Sequence, residues 1–471
     1  MNIVQEIKNR QYGELIAIKD ADLEVSYNDL FLNVKKIRAQ LSSHPIFSQV
    51  ELPRIGVKFP NGLGYIIVAL AVLDTQACFV PIPDELTIKE QEQLIQETSL
   101  HGVISANESG NITLPYQLGE ALLEATSYQE PRFPESDFNT IQPAFIRFSS
   151  GTTAASKGVI LSHSSLLERI QAANEGLQIQ TGENVLWTLP MAHHFAVSIV
   201  LYLYFGATTV IETSHEPEQI YTAAKKSGAQ LLYGSPFHFA QLAQCSKTEP
   251  LPNLRLAMST AASLSKGVAA AFEKRFNLPL TQALGIIEVG LPVMNLKDPS
   301  GQATALGQVL PSYDWKVESN DGSTEIGELF LRGPGMFNAY LSPWQTREEM
   351  NPDGWFATGD LVEKLENDTL IMRGRSKSVI NIGGMKVFPE EIEAVINEHS
   401  QIKQSRVFAK SHPALGSYPC AELIPIDGKV FPSVQELRSH CAQHLATYKI
   451  PMQFQQVDAI NLTASGKVKR H

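Results

Sequence analysis

The chain has 471 residues, 43% hydrophobic and 18% charged, with a net charge of −11. That length is too great for one hydrophobic core and implies at least two domains, while the acidic balance excludes a nucleic-acid binder built on a broad Lys/Arg surface. Cys78, Cys245, Cys420 and Cys441 are scattered with no C-x-x-C spacing, which argues against a cysteine zinc site or a disulfide framework and suits buried thiols in a reducing compartment.

The first ten residues are polar and lack a signal-peptide core. Tyr65 to Leu73 is too short to cross a bilayer, and Ala196 to Ile211 is interrupted by polar residues, so a cytoplasmic protein without a membrane span is expected. Leu30, Phe31, Val34, Ile37 and Leu41 recur at helical spacing and predict a helix over Tyr27 to Leu41. A strand over Arg54 to Phe59, a buried helix over Gly64 to Thr75 and strands over Cys78 to Ile82 and His101 to Ser105 follow. This alternation predicts a mostly parallel sheet with helices on its faces, formed by residues 1 to about 140.

Ala144 to Phe148 reads as a buried strand, and the loop after it, Ser149 to Gly158, is rich in Ser, Thr and Gly with one lysine, Lys157. Small residues let backbone N–H groups approach an anion, hydroxyls add donors and a lysine adds mobile charge, a chemistry suited to nucleotide phosphates. The loop is not the G-x-x-x-x-G-K-[ST] pattern. Helices over Ser164 to Glu175, Ala196 to Tyr204 and Lys266 to Phe276 then alternate with strands at Val185 to Leu189, Ala207 to Ile211, Leu231 to Gly234, Leu256 to Ser259 and Pro279 to Leu284, giving a second α/β layer. From Gly307 short strands at Trp315 to Val317, Glu328 to Leu331 and Thr369 to Met372 suggest a small β unit. Helices over Pro389 to His399 and Ser433 to Leu445 complete the pattern. The expected architecture is α/β: a large N-terminal domain, residues 1–373, of two α/β subdomains plus a small β unit, then a small α+β domain, residues 374–471.

Five separated motifs in fixed order resemble the adenylate-forming superfamily of acyl-CoA synthetases, aryl-CoA ligases, adenylation domains and luciferases. Ser149-Ser150-Gly151-Thr152-Thr153 through Lys157-Gly158 resembles its S-S-G-T-T-G-x-P-K-G, and Leu284-Gly285-Ile286-Ile287-Glu288 its Y-G-x-T-E. Gly354 to Asp360 matches G-W-F-x-T-G-D without a change. Gly374-Arg375-Ser376-Lys377 with Gly383 to Glu393 matches the hinge-side segment, and Thr463 to Arg470 resembles T-x-S-G-K-x-x-R. The resemblance implies that a carboxylate oxygen attacks the α-phosphorus of ATP, pyrophosphate leaves, and the acyl-adenylate passes to a thiol of CoA or of an acyl-carrier protein's phosphopantetheine. It also implies roles: Lys467 as the cation between the two reacting anions; Glu288 as the Mg²⁺ ligand; Ser149, Ser150, Gly151, Thr152, Thr153 and Lys157 around the phosphates; Gly285 at the nucleotide. Asp360 would bind the ribose with Arg375 nearby, and Gly383 and Gly384 would line the thiol channel, in a small domain that rotates about a hinge near Met372 to Arg375.

Several positions depart from the pattern. Ala154 and Ser156 replace Gly and Pro, Leu284 replaces an aromatic, Ile287 replaces a Thr, and Thr260-Ala261-Ala262 replaces a Gly-rich turn. Ala339-Tyr340 stands for Gly-Tyr and Asn461 for Pro. These departures keep a non-catalytic nucleotide-binding homologue as the alternative. Amino-acid-activating relatives carry an Asp after the position of Pro190, but Met191 to Val197 has no acid, so a buried ammonium would lack a partner. The segment instead resembles the P-x-x-H of acyl- and aryl-CoA ligases. A fatty or aromatic acid is expected, with His193, Phe195, Tyr233 and Met258 either lining its pocket or simply filling core.

Overall fold

The computed structural model describes residues 1–127, 130–148, 157–319, 326–382, 385–412 and 416–460. Two nine-stranded sheets form the large domain. The first is centred on parallel strands Arg54–Lys58, Cys78–Pro81, Gly102–Asn107 and Pro143–Phe148. Pro143–Phe148 then runs into an antiparallel hairpin with Gly158–Ser162, so the candidate phosphate loop connects two strands of one hairpin. On the far side of that hairpin Ala339–Tyr340 pairs with Gly158–Ser162, bringing a residue from late in the chain beside Lys157.

The second sheet is parallel through Thr208–Ile211, Asn184–Trp187, Leu231–Gly234, Leu256–Ser259 and Leu280–Ile286. Helices connect its successive parallel strands, as parallel pairing requires a crossover rather than a tight turn. Helix Leu63–Asp74 is apolar all round and buried along its whole length, as a helix packed on every side must be. It shares one continuous core with side chains from both sheets.

Three expectations are corrected here. Residues 1 to about 140 do not form one subdomain: the hairpin Ile16–Asp20 and Leu23–Ser26 joins the second sheet, where Ile16–Asp20 pairs in parallel with Thr208–Ile211. Backbone groups of that strand find their partners about two hundred residues away, and no local pattern reveals it. The helix expected over Ala196 to Tyr204 begins only at Ile199, and a separate turn of helix covers Met191–His194. The strand expected at His101 to Ser105 lies at Gly102–Asn107.

The small β unit is a four-stranded antiparallel sheet of Asp314–Glu318, Ile326–Arg332, Phe356–Lys364 and Leu370–Arg375. Its third strand carries Phe356 to Asp360 of the G-W-F-x-T-G-D motif, which had not been read as a strand. Its fourth continues through Gly374 and Arg375, past the expected boundary. The small domain has its own core, with Ile392 and Ile396 of helix Pro389–Asn397 and Leu437 and Cys441 of helix Val434–Ala442 packed on strands Ile402–His412 and Gly416–Pro425. All four cysteines are buried and unpaired.

Candidate active site

Glu288 sits in the turn between antiparallel strands Leu280–Ile286 and Gly290–Met294, with Gly285 exposed just before it. The Tyr340 hydroxyl donates to Glu288 Oε1 at 2.9 Å, and the Phe337 N–H donates to the Glu288 carbonyl at 2.8 Å. Burial, with the Glu288 carboxylate adding to it, holds the Tyr340 phenol well above its usual pKa, so it remains a donor. Lys157 Nζ lies over the Tyr340 ring at 4.3 Å from the centroid. One tyrosine therefore touches both the lysine that closes the candidate phosphate loop and the carboxylate of the second motif.

Ring contacts extend the group to the small β unit. Phe337 packs on Tyr340 at 4.8 Å and on Phe356 at 5.6 Å, centroid to centroid. Phe356 begins the strand that carries Asp360. That carboxylate is fully buried, and Arg375, its cross-strand neighbour, holds it through Nε at 2.6 Å. A left-handed Gly359, φ 73°, and the Thr358 hydroxyl, which accepts from the Asp360 N–H at 3.0 Å, fix the backbone there.

On the acid side, His193 Nε2 pairs with Glu85 Oε1 at 2.5 Å, and this bond pulls the Glu85 pKa down. Phe195 is buried edge-on against Tyr65 and Phe79, each at 5.7 Å. Tyr233 stacks on Trp187 at 5.3 Å, beside the buried Met258 in the adjacent strand. Lys467, the loop residues Ser149, Ser150, Gly151, Thr152 and Thr153, and the glycines Gly383 and Gly384 lie outside the described residues. Sequence reading did not place Arg147, Tyr340 or Glu85 at the site. Arg147 left a trace, a charge inside the otherwise apolar run Ala144 to Phe148.

The donor set fits a hard cation: one Glu288 oxygen is taken by Tyr340 while the half-buried carboxylate keeps a second oxygen to offer. Among the described residues no three His, Cys, Asp or Glu side chains gather as a metal site, so any such ion would rely on Glu288 and on oxygens of a bound phosphate.

A two-sheet α/β domain followed by a small α+β domain, with a phosphate-type loop sequence between two hairpin strands and a buried aspartate held by an arginine, defines the class of adenylate-forming proteins. The chain belongs to the AMP-binding enzyme family, matching it over residues 6–341, and matches the AMP-binding enzyme C-terminal domain over residues 391–467. It is similar to the naringenin synthase of Pestalotiopsis fici, at 28% identity over 70% of this chain, and that match spans only 13% of the fungal protein. A 2-succinylbenzoate–CoA ligase of Listeria monocytogenes is 28% identical over 74% of this chain and 73% of the ligase. The fold is also that of o-succinylbenzoate CoA synthetase from Bacillus subtilis, solved in complex with an acyl-adenylate intermediate, with a TM-score of 0.84 at 19% identity over 100% of this chain and 97% of that one.

Proposed function

We propose that this chain is an AMP-forming acid–thiol ligase: it activates a fatty or aromatic carboxylic acid with ATP and transfers the acyl group to CoA or to a phosphopantetheine carrier. The contact of Lys157 and Glu288 with the same Tyr340 side chain carries this reading, because it puts a phosphate-loop cation and a metal-type carboxylate at one place. Family membership and the CoA ligase among the relatives support it.

In the first step a carboxylate oxygen bonds to the α-phosphorus as the bond to pyrophosphate breaks. In the second a thiol sulfur bonds to the acyl carbon as AMP leaves. Catalysis here is positioning and charge neutralisation. Lys157 and the loop residues 149–153 hold the phosphates, and Asp360, kept in place by Arg375, accepts from the ribose hydroxyls. Tyr340 orients the Glu288 carboxylate, the expected ligand of Mg²⁺. When bound, Mg²⁺ would offset phosphate charge. Lys467 would bridge the carboxylate and the α-phosphate, and Gly383 and Gly384 would let a thin thiol arm pass close to backbone. We place the domain boundary in the Met372 to Arg375 segment that ends strand Leu370–Arg375.

The test is acid-dependent pyrophosphate release across fatty, aryl and amino acids, with hydroxylamine trapping the adenylate and Lys467→Ala as control. Release with one acid class, lost in the variant, is expected, followed by thioester formation when CoA or a carrier is added. Silence across the panel from folded protein, or full activity in Lys467→Ala, would overturn the reading.

A further inference from the structure

Two arginines lie within electrostatic reach of Glu288, and they are used differently. Arg169 is 1% exposed and commits its guanidinium to peptide oxygens. Nε and Nη2 donate to the Gly335 carbonyl at 2.9 and 2.6 Å, and Nη1 donates to the Ile287 carbonyl at 3.0 Å. Those bonds fasten the turn carrying Glu288 to the segment before Phe337, which is a structural task.

Arg147 comes from the other sheet, near the end of strand Pro143–Phe148 and opposite Val159 in the hairpin. Its Nη1 donates to the His193 carbonyl, its one hydrogen bond among the described residues. Its Nε is shielded from solvent and has no partner among the described residues. Burial draws its pKa down to about 10, while Glu288 and then Tyr65 act to raise it. The Tyr65 hydroxyl is likewise shielded and unpartnered. A charged N–H and a phenolic O–H, both unsatisfied and within electrostatic reach of one another, form a donor pair suited to an oxyanion. Buried polar groups are nearly always bonded, and an exception calls for a physical reason such as a ligand.

The surroundings indicate which oxyanion. Arg147 is bonded to His193, in the segment assigned to the acid, is near the Glu288 carboxylate, and lies two residues before the candidate phosphate loop. The side chain of Ile287, beside Glu288, offers no donor. We propose that Arg147, together with the Tyr65 hydroxyl, binds the reacting oxyanion where the acid's carboxylate meets the nucleotide's α-phosphate. This rests on the adenylation reading above. Arg147 is mounted on a strand of the large domain.

The experiment compares wild type with Arg147→Met, Arg147→Lys and Tyr65→Phe. It measures AMP binding by calorimetry, steady-state pyrophosphate release with an active acid, and thermal unfolding as a check on folding. A folded Arg147→Met is expected to lose tenfold or more in AMP affinity if the phosphate is held, or to raise the KM for the acid tenfold with AMP affinity unchanged if the carboxylate is held; either result supports the assignment. AMP affinity, acid KM and kcat all within twofold of wild type would overturn it. Should Arg147→Met fail to fold, Arg147→Lys decides: it keeps the charge but cannot span the His193 carbonyl and the ligand, so a fivefold loss is expected and no loss overturns the assignment. A wild type that binds AMP but releases no pyrophosphate defeats the adenylation reading alone and leaves AMP affinity to decide on Arg147. One that binds no AMP defeats both.

Discussion

Asp360 carries the sharpest residue-scale prediction. It is fully buried, and the Arg375 that holds it is about half exposed. Asp360→Asn keeps the shape and removes the charge. The stranded arginine can reach water, so the expected stability loss is modest, about 1–3 kcal/mol in urea unfolding. AMP affinity should fall at least tenfold, and unchanged affinity in a folded variant would remove Asp360 from the nucleotide site. Asp360, Glu288 and Arg375 were legible because each stands in a short contiguous motif. Tyr340 and Arg147 were not, since their partners lie far along the chain: Tyr340 reaches Glu288 across 52 residues and Arg147 reaches His193 across 46. Spacing rules see neighbours on one helix or strand, and these contacts exist only once two sheets are assembled.

At the scale of elements, the end of strand Leu370–Arg375 is the place to perturb. Gly374 has φ +150°, and an added Cβ would lie 2.7 Å from Glu390 Oε2 and 3.3 Å from Phe388 Cδ1. Gly374→Ala must therefore strain the backbone and push the Glu390 carboxylate and the Phe388 ring aside, at a cost of about 1–3 kcal/mol. If the boundary lies here, thioester formation should fall more than pyrophosphate release, and equal effects on both would count against a hinge at this residue. The turn after strand Leu256–Ser259 offers the opposite case. Ala261 is held at φ +72°, where glycine is at ease. Ala261→Gly relieves that strain but frees the unfolded chain, and we expect a net gain of up to about 1 kcal/mol in urea unfolding; a clear loss would show that the alanine methyl packs usefully. The parallel strands were readable as short apolar runs ending at Pro or Gly. Very short strands such as Gln308–Val309 and Ile112–Thr113 were not, because two residues hold too little pattern to separate from loop.

For the whole molecule, three histidines set a pH dependence. His101, His163 and His238 each accept a backbone N–H at Nδ1, from Arg54, Ile3 and Ser235. Burial is the main reason that all three are held down at about 4, against the usual 6.5. Between those values the unfolded chain takes up protons that the folded chain refuses. Stability is therefore complete above pH 6.5 and falls as the pH drops towards 4, by about 1.4 kcal/mol per pH unit for each imidazole well inside that window. Urea midpoints measured from pH 7 to 4.5 should decline steadily, and His163→Gln should flatten the slope; a level profile would contradict the burial of these rings as neutral acceptors. The α/β class and its two-domain division were visible in the sequence, but the course of the first strands was not, and that course has a further consequence during synthesis. Ile16–Asp20 is made early, yet the strand it pairs with starts at Thr208, 208 − 20 = 188 residues later. At a ribosomal pace of about 5–20 residues per second the early hairpin waits roughly 10–40 s with an open edge. The nascent chain thus carries a sticky ribbon through much of its translation, and holding that ribbon apart from neighbouring chains is a task for the cell's chaperones.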